Sequence, residues 1–403
     1  MKLGYWFGKG HVMKNIQSLI ERNRNLATFE PKYDSKKQRV IIELTPRGGV
    51  DAYTVAKVFS GCSKYLERYG SSYPLLISIK NPAIIDKLAY TVLECICFSL
   101  YTEYSVDVHL QWDTKKSITT AGYRYSPLRF INHDRKEFLS KFKRDMQRNH
   151  FRELVVYKGN KDQENRLSTN AYAFVSNALV AHGYSEDEHT AFVDQITEAI
   201  VELAGNALEH GESDCLIDID IAPNYIKKSD PAGAYTGVNV SILSFSDKLF
   251  GDDISTRLQD VIPLTERFER LNKAEAFHRM HFDKNYTESQ FALLAAFQHK
   301  ISGRAGAPQG DGGTGLTELL KSLQEMSDGD NCYMLTGSDL VYLEKEKIGH
   351  DSDNWVGFNR ASDFFFQLPD DKVLMKCPFH FPGTAYNLTF VLRKEKSDDS
   401  GDN

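Results

Sequence analysis

The first part of the chain alternates short apolar runs with helical runs, and this alternation constrains the fold more than any other feature. Residues 39–44, 73–80 and 104–112 have the composition of strands. Between them, residues 51–69 and 82–100 have helical spacing. Strands that alternate with helices indicate a layer of βαβαβ order. We therefore expect an α/β fold that begins with such a layer.

The chain has 403 residues, which is too long for one ordinary core and indicates two domains. A polar, hinge-like stretch at residues 159–166 favours a boundary near residue 150. We predict an N-terminal α/β domain in residues 1–150 with a regulatory or partner-binding role. A second domain is predicted in residues 151–396, and a disordered tail in residues 397–403.

Charge and hydropathy exclude some functional classes. The formal net charge is -6, from 49 basic and 55 acidic residues, and gives no global case for nucleic acid or an anionic membrane. Residues 117–148 are locally basic. They indicate a solvated connector with one amphipathic helix at 135–146, or a helix that binds a partner or nucleic acid. The longest apolar run, at 92–100, contains Glu94 and is too short to span a membrane.

The N-terminus lacks the long apolar core of a signal peptide, so we expect a cytoplasmic protein. The chain has six cysteines, which are scattered and lack the spacing of a zinc site. We expect them to be reduced and mostly buried thiols.

The second half has the pattern of helices followed by a sheet. Residues 167–182 and 185–210 are helical, and Ser185 precedes three acidic residues, which is a favourable helix start. We predict an α/β sandwich with the helices on one face of a mixed, mostly antiparallel sheet. The further expected elements are strands at 153–157, 214–222, 238–243, 331–336, 363–368 and 386–392, a turn at 231–236, and a helix at 316–326.

A polar stripe runs along the second of these helices. Glu202, Asn206 and His210 are four residues apart and fall on nearly the same side of a helix. Gly205 and Asn206 are both poor residues for a helix interior, which indicates a site. An amide oxygen is a hard ligand for Mg²⁺, and a carboxylate one turn away can orient or deprotonate a water. The alternative is a surface helix with an ordinary Asn and Glu.

A glycine cluster precedes the helix at 316–326. Gly310, Gly312, Gly313 and Gly315 lie directly before Leu316. Glycines let backbone N–H groups face a ligand, and the following helix N-terminus favours phosphate. The cluster is not a Walker A motif, because no Gly-Lys-Ser/Thr follows. The alternative is a flexible surface loop.

The two motifs together resemble those of the GHKL superfamily of ATPases and kinases. The carrying residues are Glu202-x-x-x-Asn206-Ala-x-x-His210 and Gly310-x-Gly-Gly313-x-Gly315-Leu316, and later Gly383-Thr384, which resembles the strand that closes these domains. The superfamily shares the Bergerat fold, an α/β sandwich with a histidine-kinase-like ATP-binding domain. The resemblance is greatest to the anti-sigma-kinase-like branch and covers about residues 151–394. The N-terminal βαβαβ order resembles STAS-type regulatory domains.

The resemblance implies a role for each matching position. Asn206 would bind Mg²⁺, Glu202 would act on the water, and Thr384 would support adenine. Residues 250–309 would form the ATP lid. The phosphate-binding residues would be Gly310, Gly312, Gly313, Gly315 and Leu316. In the lid, Lys300 and Arg304 would reach the γ-phosphate, or they are ordinary exposed charges.

The chain departs from the superfamily after the strand at 238–243. The Asp of the family's Asp-x-Gly-x-Gly loop, which accepts from the adenine amino group, is replaced by Ser244. Asp247 substitutes for it only if the loop is rearranged, and Gly251-Asp-Asp253 fits less well.

These features predict an ATP-binding regulator with Mg²⁺ as its metal and slow ATPase activity, whose lid controls a protein partner, a second copy of the chain or its own N-terminal domain. One alternative is an anti-sigma-type protein serine kinase. The other is an interaction scaffold that binds no nucleotide.

Overall fold

The computed structural model has two sheets, and it describes most of the chain. The described residues are 16–24, 26, 29–80, 83–84, 86–112, 124–157, 161–227, 229–259, 266–301, 315–328 and 332–394. The chain is of the α/β class, as the sequence predicts. One sheet has four strands and is mixed; the other has six strands and is antiparallel throughout.

The N-terminal layer contains the predicted βαβαβ unit. Strands β2, β3 and β4 are parallel and adjacent, and β1 adds to β2 in the antiparallel sense. Asp51 and Asp86 cap the two crossover helices through their side chains. The elements are α1 (Ile16–Arg22), β1 (Lys32–Asp34), β2 (Arg39–Leu44), α2 (Ala52–Tyr69), β3 (Leu75–Ile79), α3 (Lys87–Thr102) and β4 (Val108–Trp112).

The second sheet has the strand order β5-β6-β7-β8-β10-β9. Ser185 and Glu188 form a capping box at the start of the long helix α6, as its sequence indicates. The elements are α4 (Arg135–Lys143), β5 (Arg144–Gln147), β6 (His150–Val155), α5 (Lys161–Ala181), α6 (Glu186–Glu209), β7 (Cys215–Lys227), β8 (Asp230–Ser244), α7 (Asp252–Leu258), α8 (Glu266–Arg279), α9 (Glu288–Ala295), α10 (Gly315–Met326), β9 (Tyr333–Tyr342) and β10 (Leu374–Arg393).

Both faces of the six-stranded sheet are buried. Ile217 and Ile219 on β7 join a core with α5, α6 and α10, whereas the alternate residue Leu216 joins a core with α2 and α3. On strand β8, Ile242 likewise joins the core with α5, α6 and α10, and Leu243 joins the core with α2 and α3. The helices of the second part therefore lie on one face of its sheet, as predicted, and helices of the N-terminal layer cover the opposite face.

The start of the second sheet lies before the expected domain boundary at residue 150. The predicted helix at 135–146 is wrong at its end: residues 144–146 belong to β5, which pairs with β6. Asp145 is directed inward on this strand and bonds to Lys141 and His150, which favours the turn into a strand.

Two further predictions were wrong. Residues 231–236 belong to β8 and are not a turn. Residues 363–368 form no strand, since Asn359 and Asp363 hold this segment in bends through side-chain bonds to the backbone.

The expected lid at residues 250–309 is, where the structure describes it, mostly a packed helical segment. Phe268 and Phe291 are buried at 1% and 0% exposure. Phe291 lies 5.8 Å from Phe364, which in turn stacks on Trp355. Because these rings belong to the main core, helices α8 and α9 are part of the domain body rather than a free loop.

Two further findings concern the cysteines and the length of the helices. All six cysteines are buried and free, as expected. Among the helices of the described residues, none combines the length and apolar character needed to cross a membrane.

Candidate functional site

A pocket opens between α6 and the adjoining ends of β8 and β10. It has about 990 Å³ of free space, including solvent at its mouth. The N-terminal ends of α7 and α10 complete its wall. Its principal polar lining residues are Glu202, Asn206, His210, Lys248, Asp253 and Thr384. A concave site with a few convergent polar groups in an apolar wall is typical of small-molecule binding.

The predicted polar stripe of α6 forms one wall of this pocket. The Asn206 amide Nδ2 donates to Glu202 Oε1 at 3.2 Å, and both side chains are half-buried. This bond turns the amide Oδ1 of Asn206 away from the carboxylate. The adjacent Leu203 and Ala207 are buried in the core, as the helical periodicity predicts. The pair has the donor types that suit Mg²⁺ bound to phosphate.

Of the two glycines at this end of α6, Gly211 lines the pocket and Gly205 does not. A Cβ at Gly205 would meet no protein atom within 4 Å, so packing does not require glycine there. A Cβ at Gly211 would lie 2.6 Å from the Ala207 carbonyl oxygen, so glycine is required where the chain leaves the helix.

The floor of the pocket is built by pairing of β8 with β10. Ser244 and Thr384 are register partners, and both line the pocket. Gly383 has φ of 95°, and a Cβ there would lie 2.2 Å from the Ser244 carbonyl oxygen. Only glycine permits this approach, which explains the Gly-Thr sequence. Tyr386 also lines the floor, and its burial raises the pKa of the phenol, which keeps it a neutral hydrogen-bond donor.

The loop after β8 supplies serines where the family has its adenine-binding acid. The Ser244 hydroxyl bonds to the Ser213 hydroxyl at 2.8 Å, and the Ser246 hydroxyl donates to the Gly211 carbonyl at 2.6 Å. The proposed substitute Asp247 is not among the lining residues. Its carboxylate is 75% exposed and accepts from Arg22 of α1 at 2.8 Å.

The structure brings Lys248 and Asp253 into the lining; no role was predicted for Lys248, and Asp253 was considered only as a poorer fit than Asp247. The sequence ranked Asp253 below Asp247 because it lies further along the chain from β8. Gly251, with φ of 97°, turns the chain into α7 and carries Asp253 back to the pocket. The sequence signal that could have indicated Asp253 was a glycine, Gly251, directly before two acidic residues.

The structure describes only part of the segment that is predicted to bind the phosphates. Gly315 is the first residue of α10, and Leu316 lines the pocket, so a helix N-terminus faces this space. The residues Gly310, Gly312, Gly313 and Arg304 lie outside the described residues. Lys300 is exposed with φ of 56° and is not among the lining residues.

A second group of ionisable residues lies between α3 and the six-stranded sheet. The carboxylate of Asp218 accepts from Lys87 and Arg152, and His150 Nε2 lies 3.1 Å from it. Asp220 also pairs with Lys87, and Glu94 on α3 pairs with Arg152. We call these six residues the buried ionic cluster.

The buried ionic cluster has metal-ligand atom types but already contains a cation. Ligand atoms of His150, Asp218 and Asp220 lie within 4.8 Å of one another, yet the Lys87 ammonium bonds both carboxylates. Burial alone would raise the pKa of Asp218, but the charges of Arg152, Lys87 and His150 hold it well below its usual range. The cluster therefore holds α3 against the sheet through paired charges.

Comparisons with models of protein families, with curated proteins and with solved structures found no match for this chain, so the resemblance to the GHKL superfamily rests on its motifs.

Proposed function

We propose that the chain binds Mg-ATP in the pocket beside α6 and hydrolyses it slowly, as an intracellular regulator of GHKL type. One observation carries the proposal: Glu202 and Asn206 are hydrogen-bonded in the wall of a pocket that also contains Leu316 and Thr384. These residues come from three distant segments of the sequence. Their shared pocket supports reading the separate motifs as parts of one site.

Each side chain has a role that follows from its chemistry. The Asn206 Oδ1 would hold Mg²⁺, which when bound neutralises phosphate charge. Glu202 would orient and deprotonate the attacking water. The α10 N-terminus at Leu316 favours the phosphates, and Lys248 adds a positive charge to the lining.

Recognition of the base would be weaker than with a carboxylate. The Ser244 hydroxyl is neutral and already bonds to Ser213. A charged acceptor forms hydrogen bonds about twice as strong as a neutral one. We therefore expect ATP to be preferred over GTP by a small factor only, with polar contacts to the base from lining residues such as Thr384 and Asp253.

The N-terminal layer is a candidate receiver of the nucleotide signal. Arg22 on α1 pairs with Asp247, which directly precedes the lining residue Lys248. Asn23 bonds to the backbone of His380, close to the Gly383 turn. A change in the loop after β8 would thus reach α1 through direct contacts.

Calorimetry with Mg-ATP and a phosphate-release assay test the proposal on wild type, Asn206→Ala and Glu202→Ala. We expect Asn206→Ala to lose binding by about tenfold or more, and Glu202→Ala to bind but lose turnover. Glu198→Ala is the matched control, because Glu198 is an exposed glutamate one turn earlier on α6 and does not line the pocket.

The outcomes separate the alternatives. Equal turnover in wild type, Glu202→Ala and Glu198→Ala would overturn the role of Glu202. Transfer of labelled phosphate to serine in an added protein or in the chain itself would favour the kinase alternative. No binding of Mg-ATP to the wild type would favour the scaffold that binds no nucleotide.

A further inference from the structure

A second concave site, unconnected with the nucleotide pocket, lies at the β5 edge of the six-stranded sheet. It is lined by Arg124, Tyr125, Arg129, Gln147, Arg148 and Asn149, and we call it the arginine cleft. Three of its six lining residues are arginines, and none is acidic. It has about 900 Å³ of free space, including open solvent. Three of the basic residues that the sequence places in 117–148 thus line a cleft, in addition to those on α4.

The arginines of this cleft are not balanced by carboxylates. Within the described part of the chain, none of Arg124, Arg129 and Arg148 forms an ion pair, whereas Arg135 and Arg152 nearby both do. Three guanidiniums around one concavity repel each other unless an anion lies between them. The arrangement therefore favours an anionic ligand.

Two of the guanidiniums are held by backbone carbonyls. Arg129 Nη1 donates to the Arg124 carbonyl, and Arg148 Nη2 donates to the Ala181 carbonyl at 2.9 Å. The neighbouring Asn149 is fixed by His182, whose Nε2 lies 2.9 Å from its Oδ1. These bonds reduce the side-chain entropy that a ligand would otherwise have to remove, because the guanidiniums are already oriented.

Asp145, which contacts the lining residue Gln147, does not neutralise the cleft. Asp145 lies behind Gln147 and accepts from Lys141 at 2.7 Å and from Gln147 at 2.8 Å, with His150 at 3.3 Å. Its charge is thus already shared between Lys141 and His150. The Tyr125 ring stacks on the His150 ring at 5.6 Å, with the Arg124 guanidinium 5.9 Å from its centroid. The wall of the cleft is therefore backed by a further basic ring.

We propose that the arginine cleft binds a phosphate group carried by a small molecule or by a side chain. A phosphate monoester is largely a dianion and has three acceptor oxygens. The forked guanidinium matches these oxygens with paired N–H donors, and arginine is the residue that suits such recognition. A single carboxylate would leave most of the positive charge unbalanced. The cleft opens to solvent, so the group that carries the phosphate can extend out of it.

Calorimetry on the full chain tests this site with two probes, O-phospho-L-serine and inorganic pyrophosphate, in EDTA at about 0.1 M salt to limit diffuse attraction. The test variant is Arg129→Gln with Arg148→Gln. The matched control is Arg144→Gln, an exposed arginine on β5 that does not line the cleft. Arg124→Gln is a second test variant, which covers the case in which the double variant does not fold.

We expect one equivalent of at least one probe to bind the wild type and the control. Binding should weaken by about tenfold or more in both test variants, since each loses a charge-assisted hydrogen bond. Binding of phosphoserine would assign a phosphorylated side chain or its analogue, and binding of pyrophosphate alone would assign a free phosphate compound.

Two results would overturn the site. The first is the absence of binding by either probe. The second is equal weakening in Arg144→Gln, which would indicate diffuse surface charge. Unchanged Mg-ATP binding by the test variants would separate the cleft from the nucleotide pocket, because no arginine of the cleft lines that pocket.

Discussion

Replacing His150 with glutamine should change how the stability of this protein depends on pH. Burial alone would lower the pKa of His150, but the charge of Asp218 and hydrogen bonds to Asp145 and Asp218 raise it to about 9 from a usual 6.5. The folded state therefore retains a proton that the unfolded state releases between these values. Because the folded pKa is the higher one, the contribution is complete below pH 6.5 and is lost as pH rises through 9.

The size of the effect follows from proton linkage. With one extra proton on the folded state, the free energy of unfolding falls by about 1.4 kcal/mol per pH unit. Over the interval from 6.5 to about 9 the loss amounts to about 3 kcal/mol. Burial lowers the pKa of several other histidines, among them His182 and His278. These histidines change the free energy of unfolding below pH 6.5 instead. Burial also raises the pKa of the six cysteine thiols, which lowers the free energy of unfolding near pH 9 in wild type and variant alike, so the difference between the two curves reports His150.

Urea unfolding followed by circular dichroism at several pH values between 6 and 9.5 measures this dependence. The glutamine amide can donate to a carboxylate but does not titrate, so His150→Gln is less stable at low pH and its curve is flatter above pH 6.5. His281→Gln, a change of an exposed histidine, should keep the slope of the wild type. Parallel curves for wild type and His150→Gln between pH 6.5 and 9 would refute the assigned protonation.

Three further substitutions test the packing, each by urea unfolding against wild type. Gly383→Ala should lower the free energy of unfolding by about 1–3 kcal/mol or more, because it strains a left-handed backbone and places a Cβ 2.2 Å from the Ser244 carbonyl oxygen. An unchanged unfolding midpoint would contradict this close contact between residue 383 and Ser244. Phe291→Ala should lower the free energy of unfolding by about 3–5 kcal/mol, whereas Phe366→Ala, which changes a ring that is 74% exposed, should lower it far less. Equal losses in the two variants would argue against α9 as part of the core. Asp218→Asn should cost about 3–5 kcal/mol, since it leaves buried cations without their shared partner, and a neutral outcome would show that the buried ionic cluster is not charged as described.

Strong local periodicity predicted much of the secondary structure. Strand β2 has the predicted bounds, and α6 begins and ends within one residue of prediction. Their patterns are long or bounded by capping residues, so local forces are sufficient. The strand expected at 363–368 failed because an apolar run alone does not distinguish a strand from a bent loop whose rings enter the core.

The sequence predicted the part of the pocket wall that depends on one helix. The proximity of Glu202 and Asn206 follows from helix geometry, whereas Gly383 was indicated only by the resemblance, and the structure supplies its reason in a turn that only glycine tolerates. The direction of the loop after β8 does not follow from spacing. It depends on the turn at Gly251 and on tertiary contacts such as the bond of Asp247 to Arg22, a residue more than two hundred positions away.

The sequence by itself determined the α/β class, the two faces of strands such as β2 and β7, and the polar stripe of α6, because each depends on periodicity within a single element. Only the tertiary structure decided which of these faces would be covered. The alternation in β7 marks Asp218 and Asp220 as one face, and in isolation such a face would be solvated. Packing of α3 buries that face, and its lysine and glutamate supply the charges that make the burial stable.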